Sequence, residues 1–124
     1  MNASRQHISL DLNNQDSMVY VHVRAGDTAK VVSAGLVESG IPYQLADDVT
    51  AVLAAKAPNG TYKYAAATIS DDRIIVMLPA SITATAGMYT ACFRLTGSNE
   101  AALVTPAFTI CVETPAAPAQ SQGG

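Results

Sequence analysis

Tryptophan is absent from this 124-residue sequence, and the other aromatics are few: five tyrosines and two phenylalanines. Charge is scarce as well, at 14% of residues with a formal net charge of -3. The seven basic residues, Arg5, Arg24, Lys30, Lys56, Lys63, Arg73 and Arg94, are dispersed. Phosphate neutralisation needs a basic stripe, so nucleic-acid binding is excluded. A polybasic membrane patch is excluded for the same reason. No run approaches the ~18 apolar residues of a membrane helix. The segment from Met1 to His7 is polar and lacks the apolar stretch of a secretory signal. The chain is therefore expected to be made and used in a cytoplasm, or released by lysis.

Reactive side chains are equally sparse. The two cysteines, Cys92 and Cys111, have no CxxC spacing and no histidine close in sequence, which is not a zinc pattern. They are expected as free thiols packed as small hydrophobes, with a cross-strand disulfide as the alternative. The two histidines, His7 and His22, each fall in an alternating strand pattern and are expected at the surface or an interface. No Gly-x-Ser-x-Gly elbow supports a nucleophilic serine. Arg94 shares a face with Cys92, a faint version of the positive surroundings a reactive thiolate needs, but a packed thiol is the expectation. The doublets Asp47-Asp48 and Asp71-Asp72 lack calcium-loop spacing and read as solvated turns. No glycine loop for phosphate occurs. The expectation is a protein that is not an enzyme, with no catalytic residues, no metal and no cofactor.

What the sequence has is alternation. Ile8, Leu10 and Leu12 oppose Ser9 and Asp11; Val19, Val21 and Val23 oppose Tyr20, His22 and Arg24. Further strands are expected over 29–38, 49–57, 61–70, 73–78, 88–95 and 101–112. Gly35 inside the third marks a bulge or a close approach. The alanine-rich piece 51–57 has helical propensity. It is read as a strand because Pro58-Asn59-Gly60 turns the chain into a second alternating run. Residues 80–84 suit a single helical turn, and Pro106, without a ladder donor, marks an edge or a break. Seven or eight short strands separated by turn signals indicate an all-β, immunoglobulin-like antiparallel β-sandwich, with a closed barrel as the competing architecture. The sandwich is expected over 1–113. The Pro-, Ala-, Gln- and Gly-rich segment 114–124 reads as a flexible tail.

The stretch Thr85 to Leu95 sets the register. Ala86-Gly87 is a turn, after which Tyr89, Ala91, Phe93 and Leu95 share one face and Met88, Thr90, Cys92 and Arg94 the other. A glycine leading into a strand that opens with tyrosine is similar to the tyrosine corner of immunoglobulin-like domains. Tyr89, Phe93, Gly87 and Phe108 are the candidate structural core. The immunoglobulin cysteine position, two residues after Tyr89, holds Ala91, so the sandwich is expected to be held by packing alone. Among the other tyrosines, Tyr62 and Tyr64 share a face, as a sugar-stacking platform requires, and Tyr43 lies in a polar loop. These three are the candidate binding surface, with core packing or subunit contact as the plainer use.

The order of motifs resembles a known family. The strand Ile8–Leu12, the strand ending at Arg24-Ala-Gly-Asp27, Val32-x-Ala-Gly-Leu36, Gly40-Ile-Pro42, the hairpin Val52–Gly60, the strand Ile74–Leu78, Ala86-Gly87-x-Tyr89 and the closing Phe108–Val112 occur in sequence. This pattern, spanning roughly 7–113, is similar to the N-terminal domain of baseplate upper proteins of tailed phages infecting Gram-positive bacteria. Other phage immunoglobulin-like proteins, of capsid decorations and head fibres, share much of it. The resemblance implies a non-enzymatic virion structural protein, assembled in the host bacterial cytoplasm. It would dock on the tail baseplate, fibre or capsid to support host-recognition components. Its partners would be other virion proteins and further copies of itself, with no nucleic acid and no membrane. Baseplate upper proteins continue into a fibre-forming region, whereas this sequence stops soon after Val112, so a distal receptor-binding part is expected on another chain. The alternative is a carbohydrate- or cell-surface-binding β-sandwich.

Overall fold

The computed structural model describes residues 4–13, 18–27, 30–45, 48–97 and 102–114. The strands follow in order as β1 Ser4–Asp11, β2 Tyr20–Arg24, β3 Lys30–Glu38, β4 Ile41–Pro42, β5 Thr50–Lys56, β6 Tyr62–Ser70 and β7 Arg73–Met77. A single-turn helix α1, Ala80–Thr83, comes next, and then β8 Gly87–Thr96, β9 Ala102–Val104 and β10 Phe108–Glu113. The tail expectation falls, beyond Thr114, outside the described residues, as does Asp47.

Hydrogen bonding runs continuously through β1-β3-β7-β6-β5-β8-β10-β2, with β4 added to β3 and β9 to β8. The path folds into two layers because β6 belongs to both. Its residues Tyr62 to Ala67 pair with β5, and Thr68 to Ser70 pair with β7. The alanines Ala65, Ala66 and Ala67 sit where the strand passes from one layer to the other. Small side chains let a strand switch sheets without crowding the corner. The first layer is β1, β3, β4, β7 and the end of β6; the second is the start of β6 with β5, β8, β9, β10 and β2. The all-β sandwich forms as the alternation implies, and its layers approach a closed barrel. Pairing is antiparallel except for β1 with β3 and β10 with β2, which are parallel. Alternation fixes which face a residue takes but carries no information about strand direction.

The two ends of the path meet through one side chain. Gln6 Nε2 donates to Tyr20 O at 2.8 Å, and Gln6 Oε1 accepts from His22 N–H at 3.4 Å. The side-chain amide of β1 thus occupies the place a backbone peptide would take against the free edge of β2, and it occupies an edge that would otherwise invite foreign pairing.

Inward-facing residues form one core: Ile8, Leu10, Val21, Val32, Leu36, Leu53, Ile74, Val76, Tyr89, Phe93, Phe108 and Ile110 are among its members. Phe93 and Phe108 stack at its centre, with ring centroids 5.5 Å apart. Helix α1 closes one end by burying Ile82 and Thr83. The turn after β2 is tied to it by Gly26 N–H donating to Thr83 O at 2.8 Å.

Three local features explain residues that break the pattern. Between the pairs Arg94↔Val104 and Ala91↔Phe108, Cys92 and Phe93 face Thr105, Pro106 and Ala107, one residue more on the second strand. This is a β-bulge, the setting in which a proline is tolerated inside a ladder. It reverses the inward parity, so Leu103 and Phe108 both face the core. Thr105 repairs the ladder. Its N–H donates to Phe93 O at 3.0 Å, its Oγ1 accepts from Phe93 N–H at 3.0 Å, and its hydroxyl donates to Pro106 O at 3.2 Å.

Gly35 lies under the Arg73 side chain: a Cβ there would sit 2.9 Å from an Arg73 guanidinium nitrogen. That guanidinium is anchored to Ser33 Oγ at 2.6 Å, Ser33 O at 2.8 Å and Ile8 O at 3.3 Å. Gly87 has φ 154, and a Cβ on it would meet Pro58 Cγ at 3.1 Å, so the β5–β6 turn packs directly on the start of β8.

Candidate functional site

The outer face of the second layer is the feature of this surface that calls for an explanation. Period-two alternation in β2, β5, β6, β8 and β10 sends one set of side chains into the core and the other outward. The outward set should be polar, yet much of it is not. Nine large hydrophobic residues are exposed among those described, and six of them, Tyr20, Val52, Tyr62, Tyr64, Met88 and Val104, lie on this one face. Register brings them together: Tyr64 lies across from Ala54 and then Cys92, Val52 lies between Ala66 and Arg94, and Arg94 stands across from Val104. The charges on this face are Lys56, Arg94, His22 when protonated, Arg24 and Glu113. Exposed apolar side chains gathered on one face are common at contact surfaces.

Tyr62 and Tyr64 stack with centroids 6.2 Å apart and ring planes 16° from parallel. The Arg94 guanidinium carbon lies 5.9 Å from the Tyr64 ring centroid, a cation–π contact. In the ladder, Tyr62 is one step to one side of Tyr64 and Arg94 one step to the other. Tyr64 therefore has both Tyr62 and Arg94 as ring neighbours. Tyr43 is not part of this group. It is half-buried, packs against the core, and follows β4 in the first layer, its N–H donating to Leu36 O at 2.8 Å. Of the other expected core positions, Tyr89, Phe93 and Phe108 are buried and Gly87 is partly so.

The cysteines do not pair; both are free and half-buried. In the β8/β10 register Cys111 stands opposite Met88, so Cys92 lies four residues further along, about 13 Å at 3.3 Å per residue. Burial raises the Cys92 thiol above its ordinary value, and the nearby Arg94 charge only partly opposes this. That direction disfavours a reactive thiolate. Asp71 and Asp72 both take positive φ, 52° and 61°, in the tight β6–β7 turn. Asp72 Oδ1 accepts from Leu45 N–H at 3.2 Å, a structural use of the carboxylate. His7 is exposed on β1, in the first layer, while His22 stacks on Tyr20 with centroids 6.2 Å apart and faces Glu113, Nδ1 to Oε2 3.7 Å. Nothing in the local sequence around His22 signals this neighbourhood, because β2 and β10 come from opposite ends of the chain.

No helix among the described residues is long and apolar enough to cross a membrane. Among curated proteins none matches this sequence significantly. Among solved structures, the N-terminal domain of phage TP901-1 ORF48 is similar, with a TM-score of 0.71 at 16% identity, covering 89% of this chain and 98% of that one. At that identity the likeness is one of fold. The family model described as "BppU N-terminal domain" matches residues 4–119, nearly the whole sequence, and the chain belongs to that family.

Proposed function

We propose that this domain is a docking module of the phage particle, which seats on neighbouring baseplate proteins through the outer face of its second layer and so supports host-recognition components. The family is a phage baseplate structural domain and not a known enzyme class, which makes the protein a baseplate structural protein of the virion. The observation that carries the docking reading is the segregation of exposed apolar side chains onto one rigid sheet face. Interface cores are enriched in tyrosine, methionine and arginine and depleted of other charges, and Tyr20, Tyr62, Tyr64, Met88 and Arg94 supply that composition here. A face built on six hydrogen-bonded strands is already ordered, so little conformational entropy is lost on docking.

The second reading, sugar binding at Tyr62 and Tyr64, is favoured by their stacked exposure. It is weakened by Arg94, whose guanidinium already approaches the Tyr64 ring and would compete with a sugar for it. Two measurements separate the readings. Mass spectrometry of purified virions should detect the chain, and Val52→Glu or Tyr64→Glu should lower its incorporation while leaving the isolated domain folded. Absence of the wild-type chain from particles, together with glycan binding that Tyr62→Ala abolishes, would replace docking by sugar recognition.

A further inference from the structure

At the β2 end of the second layer, three side chains of different donor type converge. Cys111 of β10 stands directly across from His22 of β2 in the parallel register, and Glu113 is the next outward residue of β10. One ligand atom from each, the Cys111 sulfur, a His22 ring nitrogen and a Glu113 carboxylate oxygen, lies within 4.8 Å of the others. We propose that His22, Cys111 and Glu113 form a binding site for a divalent transition-metal ion, zinc by the chemistry of its donors.

The geometry is close to what zinc requires. Tetrahedral coordination with bonds of about 2.0–2.3 Å puts neighbouring donor atoms about 3.3–3.8 Å apart. His22 Nδ1 and Glu113 Oε2 are already 3.7 Å apart. Closing the longest separation needs about 1 Å of rotamer adjustment, and both of these side chains are more than half exposed and free to make it. Cys111 is half-buried on a paired strand and is the fixed corner of the site. A thiolate, an imidazole and a single carboxylate suit zinc and its softer neighbours. Calcium and magnesium demand oxygen-rich shells and are excluded by the thiol. Binding exchanges the Cys111 thiol proton for the metal and releases the proton to solvent. Three protein ligands leave the fourth position open to water or to a donor from outside the domain.

The site spans the join between β2 and β10, and among the described residues β2 has no other backbone-paired neighbour in the sheet. A bound ion would therefore clamp the last strand of the path.

The test uses the full chain, reduced and metal-free, titrated with Co2+ and then Zn2+. A thiolate-to-cobalt charge-transfer band that saturates at one equivalent and disappears on adding zinc is expected. Cys111→Ser should abolish the band, while Cys92→Ser, which changes the thiol outside the site, should keep it. His22→Ala and Glu113→Gln should each weaken zinc binding at least tenfold, and zinc should raise the melting temperature of the wild type but not of Cys111→Ser. All of these positions are half-buried or exposed, and circular dichroism checks that each variant is folded. The proposal is overturned by the lack of a thiolate band at saturating cobalt, by a band that survives Cys111→Ser, or by wild-type zinc affinity in His22→Ala or Glu113→Gln.

Discussion

Replacing Thr105 by valine isolates the contribution of a single hydroxyl to the fold. Valine has nearly the shape of threonine, so no cavity forms at a position that is only 3% exposed. What is lost is the acceptor for the buried Phe93 N–H and the donor to Pro106 O, bonds of 3.0 and 3.2 Å. A buried donor left without a partner costs about 1–3 kcal/mol, more than the modest net worth of the bond itself. The Pro106 carbonyl loses its hydroxyl donor too, which places Thr105→Val near 2 kcal/mol. Thr105→Ser keeps the hydroxyl and removes one buried methyl, a loss of about 1 kcal/mol. Valine should therefore be the more damaging substitution although it is the better match in volume and apolar area. Urea unfolding followed by circular dichroism should show a lower midpoint at unchanged slope. For a domain of this size the melting temperature should fall by roughly 6–12 °C. If Thr105→Val loses less than about 0.5 kcal/mol, or less than Thr105→Ser, the hydroxyl is not what holds the bulge.

Other outcomes follow from the same structure. Tyr89→Ala removes a buried ring beside Ile110 and should destabilise by about 3–5 kcal/mol in the same assay; a loss below about 1 kcal/mol would show that the ring is not part of the core. Gln6→Leu removes both hydrogen bonds across the β1–β2 seam and should cost about 1–2 kcal/mol, with faster amide exchange at His22 as its local signature. Unchanged exchange there would deny Gln6 its role in closing the seam. Because burial raises the Cys92 thiol, folding holds it neutral. The stability this contributes is complete at neutral pH and is lost as pH climbs through the raised value. Alkylation of Cys92 in a Cys111→Ser chain should accordingly require higher pH in the folded protein than in urea. Equal pH profiles would refute the assignment.

Most of the strands could be read from the sequence because alternation and turn chemistry agree locally. The alanine run of β5 shows why propensity is the weaker guide. Ala54 and Ala55 pair on both sides, with Tyr64 and Lys63 of β6 and with Cys92 and Ala91 of β8, and this ladder overrides the helical preference of alanine. Tyr62 and Tyr64 were recognisable as one exposed face, since two residues apart on a strand always share a side. Tyr43, the third candidate, lies apart from them, after β4 in the first layer. Its loop has no periodicity, and what fixes the residue is its N–H bond to Leu36 and packing against the core, both tertiary. The convergence of His22 with Cys111 was invisible for a related reason. It depends on a parallel pairing between the second strand and the last, and a linear pattern encodes neither partner nor direction.

That same pairing governs when the domain can become whole during synthesis. The ribosome releases β2 early, but the strand it pairs with, β10, is the last to appear. At translation rates of about 5–20 residues per second, β2 waits several seconds without its partner. Until β10 emerges, the inward face of β2, with Val21 and Val23, has no ladder to hold it against the core. A nascent chain halted before Phe108 should be sensitive to protease and dependent on chaperones, however well its first layer has formed.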